Sequence, residues 1–324
     1  MSIRLNDVLI WCYWHPFRRI VQAAPLRLAY LLARWGGSAA YYVFRQRRRA
    51  LAQELTDLGL AGPGNPELKR TVKRAFSVLF QNEIDVMLFP KLNAANIGDF
   101  VVCSGTQYID EALQKGKGVM LIFTHFGANQ MIMPAIGYRG YTMCQMSAPP
   151  MVWEEKLPNK KFTPMGRKAL QLRWEHELSL PVKHINIFRP LKEAFVCLRK
   201  NQILGIAMDG GGGKERVAVG FLGRTALISG GAIDIAMRTG CVVLPTFMVR
   251  QPRGDQKLIV QEPLQLSDAG DHEERVQKNV ALFMGRFEEY VRTYPDHYLN
   301  FLALRRFMEL QGDAPFFKKE NRKI

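Results

Sequence analysis

The stretch Gly118-Val-Met-Leu-Ile-Phe-Thr-His-Phe-Gly-Ala-Asn-Gln130 decides how the rest of the chain is arranged. Its apolar run, residues 119–123, is short, bounded by glycine on both sides and rich in strand formers, which predicts a buried parallel strand. Thr124, His125, Phe126 and Gly127 stop the run, and Gly127 with Asn129 turns the chain into a helix that starts near Gln130 or Met131. In an open α/β sheet the loops at the carboxyl ends of the strands line the ligand crevice. His125 is therefore expected at the rim of that crevice, where an imidazole can take a proton near neutral pH. A histidine that only caps the strand fits this segment equally well.

Outward from that strand, the pattern alternates. Strands are expected over residues 140–146, 183–187 and 203–208, and helices over 165–178 and 190–200. A further buried strand covers 241–249 and carries Pro245, 257–260 reads as an edge strand, and 271–294 as a long helix closed by Pro295. Upstream, residues 67–89 have helical periodicity, 96–102 form a short strand and 106–115 a helix ended by Gly116. Strand–helix alternation of this kind predicts one α/β domain, residues 51–310, with a mostly parallel central sheet flanked by helices. Residues 1–50 form an amphipathic N-terminal segment and 311–324 a basic tail.

The chain carries 45 Lys+Arg against 29 Asp+Glu, a net charge of +16. That excess points to phosphate-rich partners, either nucleic acid or an anionic membrane surface. Residues 1–50 favour the membrane: Trp11, Trp14, Phe17, Leu31, Leu32 and Trp35 alternate with arginines and end in the cluster Arg45 to Arg49. Aromatics and leucines opposite basic residues make a helix that lies in a bilayer interface. A core helix with a solvated basic edge has the same composition, and RNA binding is disfavoured because the aromatics group with leucines. Residues 23–44 come nearest to a membrane span, but Arg27 and Arg34 interrupt them and Gly36-Gly37 is expected to break the helix. No signal-peptide cleavage pattern follows, so a cytoplasmic location is expected. Five scattered cysteines form no C-x-x-C pair and read as reduced, buried thiols; no metal site is expected. His15 and His176 are expected on the surface.

The strand over 203–208 runs into Asp209-Gly210-Gly211-Gly212-Gly213-Lys214-Glu215-Arg216. Glycines at a strand end let backbone N–H groups gather round an anion, with Lys214 and Arg216 adding charge. A mobile surface turn is the plainer alternative. The loop is not a Walker motif, since no Gly-Lys-Ser/Thr occurs. Ser229 is expected to cap the helix that follows, with Gly230 and Gly231 allowing close approach of a ligand or the sheet.

His125-Phe-Gly-Ala-Asn-Gln130, the Asp209-Gly loop, Phe221-Leu-Gly-Arg224 and Tyr294-Pro-Asp-His-Tyr298 fall in an order that resembles the bacterial late lipid A acyltransferases. These are lauroyl and myristoyl transferases of the lysophospholipid acyltransferase superfamily. The resemblance runs over about residues 45–307. It implies a peripheral enzyme on the cytoplasmic face of the inner membrane, moving a fatty acyl group from a thioester to a lipid or glycolipid hydroxyl or amine. The donor would be acyl carrier protein or coenzyme A, acting as co-substrate, with no cofactor. His125 becomes the general base, and Gln130 stands where that family has an acid. An amide can orient the imidazole but offers no charge, and in serine proteases exchanging the acid for its amide costs about 10⁴ in rate. Asp209 or a loop glutamate supplying the charge, or a catalytically impaired lipid-binding homologue, are the other readings. Oxyanion donors are expected from the backbone of Phe126 and Gly127 or from the glycine loop, with Asn129 beside them. Arg189, Lys214, Arg216 and Arg224 are expected to bind substrate phosphates. The acyl chain is expected between the helix at Met131 and the N-terminal segment.

Overall fold

The computed structural model describes residues 5–62, 64–152, 154, 162–210, 215–251 and 255–318. The chain opens with helix α1 (Leu5–Cys12), a wide π turn (Tyr13–Phe17), α2 (Arg18–Ala23), α3 (Leu26–Val43) and α4 (Arg45–Asp57). Helix α5 (Pro66–Leu88) begins where expected: Asn65 caps it by accepting the Glu67 N–H at 2.9 Å, and Pro66 occupies the first turn, where no N–H is needed.

Helix α3 is unbroken, contrary to the expectation for Gly36-Gly37. The glycines serve packing instead. A Cβ on Gly37 would stand 2.6 Å from the Cα of Ser77, so α3 and α5 touch backbone to backbone there. Tertiary contact at the crossing outweighs the low helix propensity of glycine.

The α/β body follows as α6 (Ile97–Phe100), β1 (Val101–Ser104), α7 (Gln107–Gln114), β2 (Val119–Phe123), α8 (Ile132–Gly137), β3 (Met143–Ser147), α9 (Pro164–Leu178), β4 (Lys183–Asn186), α10 (Lys192–Arg199) and β5 (Ile203–Ala207). The hairpin β6 (Arg216–Phe221) and β7 (Arg224–Ser229) comes next, then α11 (Gly231–Thr239), β8 (Val242–Arg250), β9 (Gln256–Val260), α12 (His272–Thr293) and α13 (Leu299–Leu310). Three expectations are corrected. The start of the 96–102 strand is a helical turn, because Asn93 and Asn96 bond to nearby backbone N–H groups and wind the chain. Gly230 rather than Ser229 holds the cap position of α11, Ser229 being the last residue of β7. And β9 is not an edge strand: it lies between β1 and β8.

Among the described residues the sheet has seven strands in the order β1-β9-β8-β2-β5-β3-β4. Strands β8, β2, β5, β3 and β4 are mutually parallel, and β9 turns antiparallel against β8, carrying β1 with it. The sheet is thus mostly parallel and flanked by helices. Every residue of β2 is buried, as its continuous apolar run requires of a strand covered on both faces. Registers of β2 with β5 align Phe123 with Ala207, so both strands deliver their next residues to the same edge.

The N-terminal helices pack on this body. Trp14, Val21, Ala29, Tyr30 and Ala33 join one core with Leu121, Phe123 and Leu258 of the sheet. A buried polar knot secures the join: Tyr30 donates to Asp85 at 2.5 Å, Asp85 pairs with Arg250, and Gln256 donates to both Tyr30 and Asp85. His176 belongs inside, not on the surface: only 4% exposed, it takes an N–H from Arg18 at 3.0 Å and donates to the Val86 carbonyl at 2.8 Å.

Candidate active site

His125 and Asp209 stand on the neighbouring strand ends of β2 and β5, and the register places them side by side. The Asp209 carboxylate accepts three hydrogen bonds: from His125 Nδ1 at 2.8 Å, from the His125 backbone N–H at 2.8 Å and from the Tyr298 hydroxyl at 3.0 Å. Its side chain is 0% exposed, whereas that of His125 is 42% exposed. A carboxylate acceptor at Nδ1 places the proton there and leaves the lone pair on Nε2. That nitrogen has no partner among the described residues. Burial, then the neighbouring Asp209 charge, pushes the Tyr298 phenol well above its ordinary range, so it stays a donor. Phe301 closes one side of the imidazole, stacked on it at 4.6 Å.

The loop after His125 is held at several points. Gly127 takes a left-handed conformation, φ +60°, and a Cβ there would meet the Met248 carbonyl oxygen at 2.0 Å. Its N–H donates to the His297 carbonyl at 3.0 Å and its carbonyl accepts from Asn82 at 2.9 Å. The Phe126 N–H donates to the Thr124 carbonyl at 2.7 Å. Both N–H groups expected to hold an oxyanion are therefore engaged within the protein. The Phe126 ring is buried against Phe287, Tyr290 and His297 and faces no substrate space.

Gln130 does not reach the imidazole. It lies in a separate polar cluster, accepting from Arg173 at 3.2 Å, while Arg173 also pairs with Glu83 at 2.9 Å and Glu177 at 3.7 Å. The Tyr13 hydroxyl donates to Glu83 from the N-terminal segment. Asn129 is half-buried beside Gln130, and Gly210, half-buried, follows Asp209 directly. Gly211, Gly212, Gly213 and Lys214 lie outside the described residues.

The remaining expected residues are elsewhere. Arg224 lays its guanidinium over the Phe317 ring at 4.2 Å, and Arg216 donates to the Leu227 carbonyl at 3.4 Å; both hold the hairpin and the tail. Arg189 is exposed after β4, the sheet's outer strand, with β5 and β3 between it and His125's strand. Tyr298 and Phe301 were missed as site residues, although Tyr298 ends the quoted Tyr294-Pro-Asp-His-Tyr298 motif. A cavity of about 540 Å³ lies between the N-terminal segment and α9, lined by Leu9, Ile10, Tyr13, Trp14, Ala169 and Leu170 among others. The helix at Met131 does not line it. Among the described residues no helix is long and apolar enough to cross a membrane.

No curated protein matches the chain. The profile described as "Bacterial lipid A biosynthesis acyltransferase" matches residues 3–308, nearly the whole length. A buried carboxylate behind a half-exposed imidazole at a sheet mouth suits acyl transfer, and by this match the chain belongs to the bacterial lipid A biosynthesis acyltransferases, enzymes that join an acyl donor to a lipid acceptor.

Proposed function

We propose that the enzyme transfers a fatty acyl group from an acyl thioester to a hydroxyl of a glycolipid at the cytoplasmic membrane face, with His125 as general base and Asp209 as its partner. The Nε2 lone pair takes the acceptor's proton as its oxygen attacks the thioester carbonyl carbon. Asp209 stabilises the imidazolium that forms, and the Tyr298 hydroxyl keeps the carboxylate in place. Collapse of the tetrahedral adduct breaks the carbon–sulfur bond, and the leaving thiolate takes the proton back from Nε2. The Gly210 N–H, next to Asp209, is the donor best placed in sequence for the oxyanion.

One observation carries this reading: the 2.8 Å His125–Asp209 bond with Nε2 left open. It also speaks against an impaired homologue, because Asp209, just after β5, offers the charge that Gln130 lacks. The apolar cavity has a volume in the range of small-ligand sites and suits an acyl chain. A chain of net charge +16 suits an acidic carrier protein as donor. Exposed Leu5, Leu9, Trp11, Ile20 and Trp35, with arginines among them, suit a peripheral bilayer contact.

The test is turnover of acyl carrier protein and coenzyme A thioesters with a glycolipid acceptor in mixed micelles, comparing the native chain with His125→Ala and Asp209→Asn. Product from the native chain alone is expected. Equal product from all three removes the proposal.

A further inference from the structure

Helix α13 carries more than Phe301. Leu299, Leu302, Arg305 and Met308 face inward, while Leu304, Phe307 and Leu310 are exposed, Leu310 by 77%. These three recur every third residue, so they form one strip that begins a turn beyond the ring stacked on His125. Isolated exposed leucines are ordinary, but a continuous apolar strip marks a contact surface.

Its flank is basic. Helix α4 runs alongside α13 in the same direction, with Arg47 donating to Asn300 at 2.9 Å near the start and Arg306 donating to Glu54 at 2.7 Å further on. Arg45 and Arg49 are exposed on α4, and Val43 and Phe44 are exposed just before it. Apolar side chains bordered by arginines match acyl chains bordered by anionic headgroups.

We infer that Leu304, Phe307 and Leu310, flanked by Val43 and Phe44, enter an anionic bilayer, forming a membrane contact separate from that of α1 and α2 and rooted at the catalytic histidine. The inference rests on the reading of the acceptor as a membrane lipid. Entry by this strip sets the mouth beside Phe301 at the headgroup level, so an acceptor hydroxyl reaches Nε2 without its lipid leaving the bilayer. The N-terminal helices and α13 then share the attachment, and α13 sets the orientation of the mouth.

The experiment is flotation with vesicles of phosphatidylethanolamine and phosphatidylglycerol, three to one, at fixed salt. Leu304→Ser with Phe307→Ser and Leu310→Ser is expected to lower the partition coefficient about tenfold. The control Leu282→Ser, exposed on α12, should float like the native chain. Leu310→Ser alone, at the helix end, should lower binding a few-fold and guards against misfolding of the triple variant. Micellar acyl transfer by the triple variant should stay within about twofold of native, whereas transfer to vesicle-embedded acceptor should fall with binding. Native flotation of the triple variant overturns the inference, as does a native dimer that the triple substitution dissociates. Absence of His125-dependent micellar turnover in the native chain instead defeats the acyl-transfer mechanism, whatever the flotation shows.

Discussion

The rings of His125 and Phe301 lie 4.6 Å apart and within 3° of parallel, although one follows a central strand and the other belongs to the last helix. Asp209 fixes the imidazole through Nδ1, but a single hydrogen bond leaves the ring free to rock about it. The phenyl face restricts that freedom and shields one side of the imidazole from water.

Phe301→Ala is therefore expected to lower kcat about tenfold with little change in KM for the thioester, because orientation rather than binding is lost. Phe301→Tyr should retain most activity. Steady-state rates in mixed micelles separate the two.

Asp209→Asn should lower kcat by about 10³ to 10⁴, the effect of a wrong tautomer and a lost charge. Gln130→Ala should cost less than about tenfold, since Gln130 bonds Arg173 and not the imidazole. Gln130→Glu places a third carboxylate with Glu83 and Glu177 around one arginine, and should destabilise the fold by about 1 kcal/mol without raising the rate. Rates beside urea midpoints distinguish these outcomes. A rate gain in Gln130→Glu counts against the assignment of Asp209.

Gly127→Ala should cost about 3 kcal/mol or more, because a methyl would collide with the Met248 carbonyl in a left-handed backbone. Chemical unfolding measures it, and the fraction that still folds should be inactive.

Acid should loosen the N-terminal helices through His176. Burial lowers its pKa below the ordinary 6.5, with Arg18 and Arg173 acting in the same direction. A histidine kept neutral in the folded state contributes stability above that ordinary value, and the contribution is lost as pH falls below it and the unfolded chain takes up the proton. Between pH 7 and 5 the urea midpoint should drop, with a slope of at most about 1.4 kcal/mol per pH unit from this group. Protonation at Nε2 also sets the imidazolium against Arg18. His176→Gln should flatten the slope.

Much of this architecture was legible where local chemistry decides it. The boundaries of β2 follow from glycines at both ends of an apolar run, and Asp271 caps α12 through the Glu274 N–H at 2.9 Å. Strand order was not legible. Alternating burial along β9 reports which face is covered, and a strand with neighbours on both sides alternates just as an edge strand does. The partner of His125 was hidden for a related reason. Gln130 is five residues away in sequence and Asp209 eighty-four, but the pairing of β2 with β5 brings only the second within reach. His176 looked solvated because its neighbours on α9 are charged; its own ring points to the Val86 carbonyl.

The contact of Gly37 with the backbone of α5 bears on how the molecule moves. The two helices meet there without intervening side chains, and α5 itself supplies Asn82, which grips the loop after His125. Lipid attachment through the leading helices would thus be passed through α5 to the loop after His125, so that a tilt of the protein on a membrane would turn the imidazole with it.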